Sequence, residues 1–98
     1  MQLAIQDMQV RNFVKKEKIS QHLLVIISLI SQHFSIKGSV VVTLENDPED
    51  GEEYLIVEFP VSGSVDRVYS ENEGFLEDAL TQLNTSIMSK IRVLPRVI

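Results

Sequence analysis

The 98-residue chain contains no cysteine. Disulfide bridges, thiolate metal ligands, iron–sulfur clusters and cysteine nucleophiles are therefore all excluded. The chain also lacks a long hydrophobic run. Its longest, Leu23–Ile30, spans eight residues, whereas a membrane-spanning helix needs about 20. The first ten residues lack the apolar region of a signal peptide, so we expect a soluble, cytoplasmic protein.

Basic charge is scarce in the middle of the sequence. Residues 45–78 carry twelve acidic side chains and one basic side chain, and the whole chain has a net charge of −5. An acidic block of this kind repels nucleic-acid phosphates, which disfavours a DNA or RNA partner. The composition, 44% hydrophobic and 23% charged, is typical of a globular protein. We predict one domain over residues 1–98.

A helix is predicted from about Lys16 to Ser35, and its start is open because Asn12 and Ser20 are both possible N-caps. Its apolar residues recur at steps of three or four, at Ile19, Leu23, Ile26, Ile30 and Phe34. The β-branched run at residues 25–27 leaves a strand as the alternative. Residues 1–14 stay ambiguous: one pattern, at Leu3 and Ile5, alternates as in a strand, and another fits a helix, at Ala4, Ile5 and Met8.

Two strands with alternating apolar residues follow, Ser39–Glu45 and Glu53–Phe59. The segment between them contains Pro48 and a glycine at position 51, which are typical turn residues. This pattern predicts an antiparallel hairpin. We expect Pro60 to end the second strand, because proline cannot donate a hydrogen bond to a neighbouring strand.

The last third of the chain predicts a second helix, Glu71–Val93. Ser70 and Glu73 resemble a capping box, and a stripe of apolar residues recurs at Leu76, Leu80, Leu83, Ile87, Ile91 and Leu94. Pro95 is expected to stop this helix, although residues 91–98 also have strand character. Residues 65–69 could form a short third strand.

These elements predict an α+β fold with two layers, in which two helices pack on one face of a small antiparallel sheet. The order is α-β-β-(β)-α. The other sheet face would then expose a candidate self-association surface, formed by Val41, Thr43, Tyr54 and Ile56. Since monomers rarely expose such patches, we expect the N-terminal segment or a second copy to cover it. A homo-oligomer is therefore one functional hypothesis.

The predicted hairpin turn supplies a candidate partner-binding surface, formed by Asp47, Glu49, Asp50, Glu52 and Glu53. A calcium loop does not fit, because aligning Gly51 to the conserved glycine puts Pro48 and Val57 at ligand positions. An acidic surface favours a protein partner with a basic surface. The alternative is a simple solvated turn.

No motif predicts catalysis, a cofactor or a metal. Serine and glycine residues do not form a nucleophile elbow or a phosphate-binding loop. His22 and His33 would lie about 16 Å apart on one helix, too far to share a metal ion. We expect a non-enzymatic protein that acts through protein–protein contact. A small-ligand binder with a pocket between helices and sheet is the remaining alternative.

The stretch VVVTLENDPEDGEEYLIVEFPV, followed by ENEGFLEDAL, resembles small bacterial α-β-β-α proteins with an acidic Asp-Pro-Glu turn. The resemblance covers about residues 36–83 and depends on Asp47, Pro48, Glu49, Leu55, Val57, Leu76 and Leu80. Some members look like companions of toxin-type or nuclease-type proteins. The resemblance thus implies a partner-binding role, and no catalytic residue carries over from it. The acidic surface would then bind or neutralise a basic partner such as a toxin or nuclease. The basic ending IRVLPRVI departs from the pattern.

Overall fold

A computed structural model describes residues 7–98 and shows an α+β fold, which confirms the predicted class. The alternatives that depend on Leu3, Ala4 and Ile5 lie outside the described residues. In chain order the elements are α1 (Met8–Glu17), α2 (Ser20–His33), β1 (Val41–Asn46), β2 (Glu53–Val61), α3 (Val65–Gln82), α4 (Thr85–Met88) and β3 (Ile91–Val97). No helix within residues 7–98 is long and apolar enough to cross a membrane.

The first predicted helix is two helices, and neither Asn12 nor Ser20 is the N-cap of either one. Helix α1 begins earlier because Asp7 caps it: its Oδ1 accepts a hydrogen bond from the Gln9 N–H at 2.8 Å. Lys18 then adopts a left-handed conformation, φ 57°, and ends α1. This turn brings Ile19 into the core, where it is fully buried, before α2 begins.

The three strands form one sheet in the order β1-β2-β3. The predicted hairpin is confirmed: β1 and β2 are antiparallel, with Val42 opposite Val57 and Leu44 opposite Leu55. Strand β3 runs parallel to β2. The sheet is therefore mixed, and the expectation of a purely antiparallel sheet is wrong.

The third strand comes from the end of the chain, and residues 65–69 form the start of α3. The cap is Ser64, whose Oγ accepts from the Arg67 N–H at 3.1 Å, so Ser70 lies inside the helix. The predicted continuation to Val93 is also wrong. Helix α3 ends at Gln82, and Asn84 starts the short α4 by capping it.

Both prolines of the sheet lie within strands, contrary to their predicted roles as stops. Pro60 belongs to β2. Because β1 begins at Val41, opposite Glu58, it does not reach the N–H position that Pro60 lacks. The Pro60 carbonyl accepts from the Lys37 N–H at 2.9 Å. Pro95 lies in β3, an edge strand, where proline is tolerated.

The core lies between one face of the sheet and the three long helices. Side chains of β2 that point to this face are fully buried: Leu55, Val57, Phe59 and Val61. Phe34 joins the layers, because its ring centroid lies 5.0 Å from that of Phe59 and 6.0 Å from that of Phe75. Helix α3 is thereby fixed against both α2 and the sheet.

Candidate functional site

The predicted acidic surface lies on a tightly bonded hairpin turn. The Asp47 Oδ1 accepts from the Glu49 N–H at 2.8 Å, and the Asp50 Oδ1 accepts from the Glu52 N–H at 2.9 Å. Gly51 has φ 73°, a conformation that favours glycine. The turn therefore holds its carboxylates in a defined arrangement.

Two of the five predicted carboxylates are engaged within the chain. Asp47 lies 3.7 Å from the guanidinium of Arg92, and Glu53 lies 3.3 Å from the ammonium of Lys16. The other three are exposed and form no ion pair with residues 7–98: Glu49, Asp50 and Glu52. The free acidic surface is smaller than predicted, and its docking role stays a prediction.

The predicted self-association residues do share one sheet face, opposite the helices. Thr43 pairs directly with Ile56 in the hairpin register. This face is more polar than expected, because the Arg92 guanidinium lies 3.7 Å from the centroid of the Tyr54 ring. Val41 and Thr43 are exposed and Tyr54 and Ile56 are half-buried. Helix α1 packs on the core side, so residues 8–14 do not cover this face.

The histidines and acidic residues of the described part do not gather into a metal site. Within residues 7–98 there is no group of three or more side chains that could hold a metal ion. His33 Nε2 is hydrogen-bonded to Asp78 Oδ2, which joins α2 to α3. A groove of about 340 Å³ between α1 and β1 is crossed by the Lys16–Glu53 pair.

A second cross-element ion pair joins α1 to the start of β3. The Lys90 Nζ donates to the Glu17 carboxylate. This hydrogen bond, together with the charges of Lys90 and Lys16, holds the pKa of Glu17 below its ordinary value. The pair ties α1 to the residue before β3, and both side chains line a groove of about 330 Å³.

An exposed apolar surface on α3 was not predicted. Ten large hydrophobic residues are exposed within residues 7–98. Five of them lie on α3 or on the side of β3 that faces it: Val65, Tyr69, Leu76, Leu80 and Val97. We call the four on the helix, Val65, Tyr69, Leu76 and Leu80, the α3 flank. This concentration on one side of the molecule makes the α3 flank the candidate functional site.

Two residues of the predicted apolar stripe, Leu76 and Leu80, do not face the core, because they are 40% and 57% exposed. The core-facing row of α3 consists instead of Val68, Phe75 and Ala79. Leu83 of the predicted stripe is buried, just after the helix. The sequence signal was present, because α3 has two apolar rows, but the longer row was assigned to the core.

The orientation of α3 follows from its contact with α2. A Cβ on Gly74 would lie 3.1 Å from the His33 Nδ1, so glycine permits a close approach of the two helices here. Asp78, one turn further on, pairs with the same histidine. The α3 flank therefore points away from α2. At its start, Val65 and Tyr69 border an apolar groove of about 190 Å³ shared with Pro95 and Val97.

A row of carboxylates borders the α3 flank. Glu73 lies four residues after Tyr69 and three before Leu76, a spacing that places neighbours on a helix surface. Asp66 and Glu77 continue this acidic row at the same helical spacing. All three carboxylates are exposed and none has an ion-pair partner among residues 7–98. Apolar and acidic rows thus run side by side along α3.

The free edge of β3 borders the other side of the α3 flank. The Leu55 N–H donates to the Lys90 carbonyl, and the Ile98 N–H donates to the Val61 carbonyl. In this parallel ladder alternate residues bond to β2, so the backbone groups of Val93, Pro95 and Val97 face outward. Because Pro95 has no N–H, a donor is missing in the middle of the free edge.

Comparisons of the chain with protein-family models, with curated proteins and with solved structures find no match. The resemblance to small bacterial α-β-β-α proteins therefore stays an expectation.

Proposed function

We propose that this protein is non-enzymatic and works by binding a partner protein on the α3 flank. The observation that carries this proposal is the row of exposed apolar residues on α3, Val65, Tyr69, Leu76 and Leu80, which Val97 of β3 extends at the groove. Large contiguous apolar patches are rare on soluble monomers unless they serve an interaction.

The composition of this surface supports an interface. Its centre is apolar, and its rim carries charged side chains, the arrangement found in protein–protein interfaces. Its apolar centre is formed by five exposed side chains: Val65, Tyr69, Leu76, Leu80 and Val97. Tyr69, 65% exposed, is a residue type enriched among binding hot spots.

The framework beneath this surface is rigid. Phe75 and Ala79 on the opposite side of α3 are fully buried, and the His33–Asp78 pair ties α3 to α2. A preformed surface loses little conformational entropy on binding. Helix α3 therefore presents its flank ready for a partner, with no rearrangement of the core.

The proposal is tested with the double variant Leu76→Ser/Leu80→Ser. Leu24→Ser is the matched single-site control, because Leu24 on α2 is 58% exposed and Leu80 is 57% exposed. Tagged wild-type and variant proteins are used to capture proteins from lysate of the source cells, with circular dichroism as the folding check. We expect a stoichiometric partner to be retained by wild type and by Leu24→Ser and lost by the double variant.

Equal capture by a folded double variant would contradict the proposal, because binding would not depend on the α3 flank. Absence of any partner common to the wild type and the Leu24→Ser control would also count against it. Restoring one leucine at a time then shows which half of the flank contributes more.

A further inference from the structure

We infer that the partner binds the α3 flank through a cationic amphipathic helix, with its apolar side on the flank and its Lys or Arg side chains against the acidic row. This inference rests on the proposed function and names the chemistry of its partner. The apolar row of α3, from Val65 to Leu80, is about 22 Å long at 1.5 Å per residue. Four turns of a partner helix match that length, in the helix-in-groove manner of recognition.

Charge complementarity selects a basic occupant. The acidic row, Asp66, Glu73 and Glu77, has no ion-pair partner in the part of the chain that the structure describes. Three other carboxylates are engaged: Glu17 by Lys90, Glu53 by Lys16 and Glu58 by Arg96. Glu49, Asp50 and Glu52 on the hairpin turn are also exposed without an ion pair among residues 7–98, but no exposed large hydrophobic residue lies on that turn. Lysine or arginine side chains beside the apolar row would supply the missing partners.

A second copy of the chain fits this surface less well. Two α3 flanks packed antiparallel about a twofold axis would bring the acidic rows of both copies to the same side of the interface. Like charges across an interface are unfavourable. The acidic row therefore opposes self-association through α3, while it attracts a basic helix.

Strand addition at β3 is a less favourable mode for the same region. The backbone of Pro95 faces the free edge and offers no N–H to an incoming strand. An occupant that forms its own backbone hydrogen bonds, as a helix does, needs nothing from that edge. The groove formed by Val65, Tyr69, Pro95 and Val97 can then accept its side chains.

The two exposed arginines of β3 limit where the cations of the occupant can lie. Arg92 contacts Asp47 and the Tyr54 ring, and Arg96 contacts Glu58, all on the sheet face away from the helices. Cations of the partner would be repelled near these side chains. We therefore assign the basic side of the partner helix to the acidic row of α3 and its apolar side to the groove.

The test uses a designed, end-capped peptide of about 18 residues, long enough for a helix in water, with leucine at i, i+3, i+4 and i+7 and lysine elsewhere. A second peptide has glutamate in place of lysine. Binding to full-length protein is measured by fluorescence anisotropy. The variant is Glu73→Lys/Glu77→Lys, and the matched control is Glu49→Lys/Glu52→Lys on the hairpin turn, which changes the net charge equally.

We expect the lysine peptide to bind wild type, and its Kd to rise about tenfold or more for the α3 variant and less than about threefold for the turn control. The glutamate peptide should bind at least about tenfold more weakly. In NMR spectra the shifts caused by the lysine peptide should fall on α3. Equal weakening by the two variants would overturn the inference, because binding would then follow net charge alone.

Failure of the inference and failure of the proposed function give different results. If sedimentation shows a dimer that Leu76→Ser/Leu80→Ser dissociates, the occupant is a second copy and only the inference is wrong. The same holds if lysate capture depends on Leu76 and Leu80 but not on Glu73 and Glu77. If capture does not depend on the leucines, the proposed function is wrong as well.

Discussion

The two sides of α3 differ in how their apolar and charged residues are used. On the packed side, Phe75 and Ala79 are fully buried, and Gly74 lets α2 approach closely. On the free side, Tyr69 is 65% exposed and Leu80 is 57% exposed. The same helix thus carries one apolar row that is buried in the core and one that is exposed.

The difference lies in the size and charge of the neighbouring residues. The packed side places small residues next to an aromatic ring, which allows two helices to interlock at short distance. The free side combines larger aliphatic residues with the acidic row, and no helix of the described chain packs on it. A row of apolar residues at helical spacing therefore predicts a buried surface. The size and charge of the residues beside that row indicate whether the same chain buries it.

The largest expected difference between the two sides is in stability. Phe75→Ala should lower the free energy of unfolding by about 3–5 kcal/mol, because it leaves a cavity beside Phe34. Leu80→Ala should change it by less than about 0.5 kcal/mol, since exposed sites contribute little. Urea unfolding followed by circular dichroism measures both. Phe75→Leu gives a smaller loss in the same direction where the alanine variant is unfolded at the start.

A loss of more than about 2 kcal/mol for Leu80→Ala would break this comparison. It would show that Leu80 is buried in the isolated protein, as happens in a stable oligomer. Dependence of that loss on protein concentration would then identify self-association as the cause.

A second comparison sets the α3 flank against the outer sheet face. If that face mediates self-association, Ile56→Glu should raise the dissociation constant of the native assembly by about tenfold or more, because a buried isoleucine contributes about 1.5–3 kcal/mol. Leu80→Glu should leave the assembly unchanged. Sedimentation velocity of wild type and both variants measures this. An Ile56→Glu protein that kept the native assembly would exclude the outer face as the interface.

The hairpin was predictable because its signals are local. Alternation in β2 placed Leu55, Val57 and Phe59 on one face, and the turn residues fixed the connection. The α+β class followed from the helix around Leu23 and Ile26. These residues are buried, as the helical spacing of the apolar residues predicts.

The parallel strand β3 was not predictable with the same ease. Its partner strand lies more than thirty residues earlier in the chain. The apolar stripe of the predicted second helix also continues at helical spacing into β3, through Ile91 and Leu94. The α3 flank was misassigned for a related reason. Leu76 and Leu80 form as regular a row as Phe75 and Ala79, and only the contact with His33 decides which row faces inward.

The smallest expected difference compares two adjacent carboxylates on opposite sides of α3. Asp78 is hydrogen-bonded to His33, and Glu77 belongs to the acidic row without an ion-pair partner in residues 7–98. Asp78→Asn keeps the shape but removes the charge from this half-exposed pair, so it should cost about 0.5–1 kcal/mol of folding stability. Glu77→Gln should cost less than about 0.3 kcal/mol. The opposite order in urea unfolding would mean that Glu77, rather than Asp78, is engaged within the fold, and the acidic row could no longer be treated as free to meet a cationic partner.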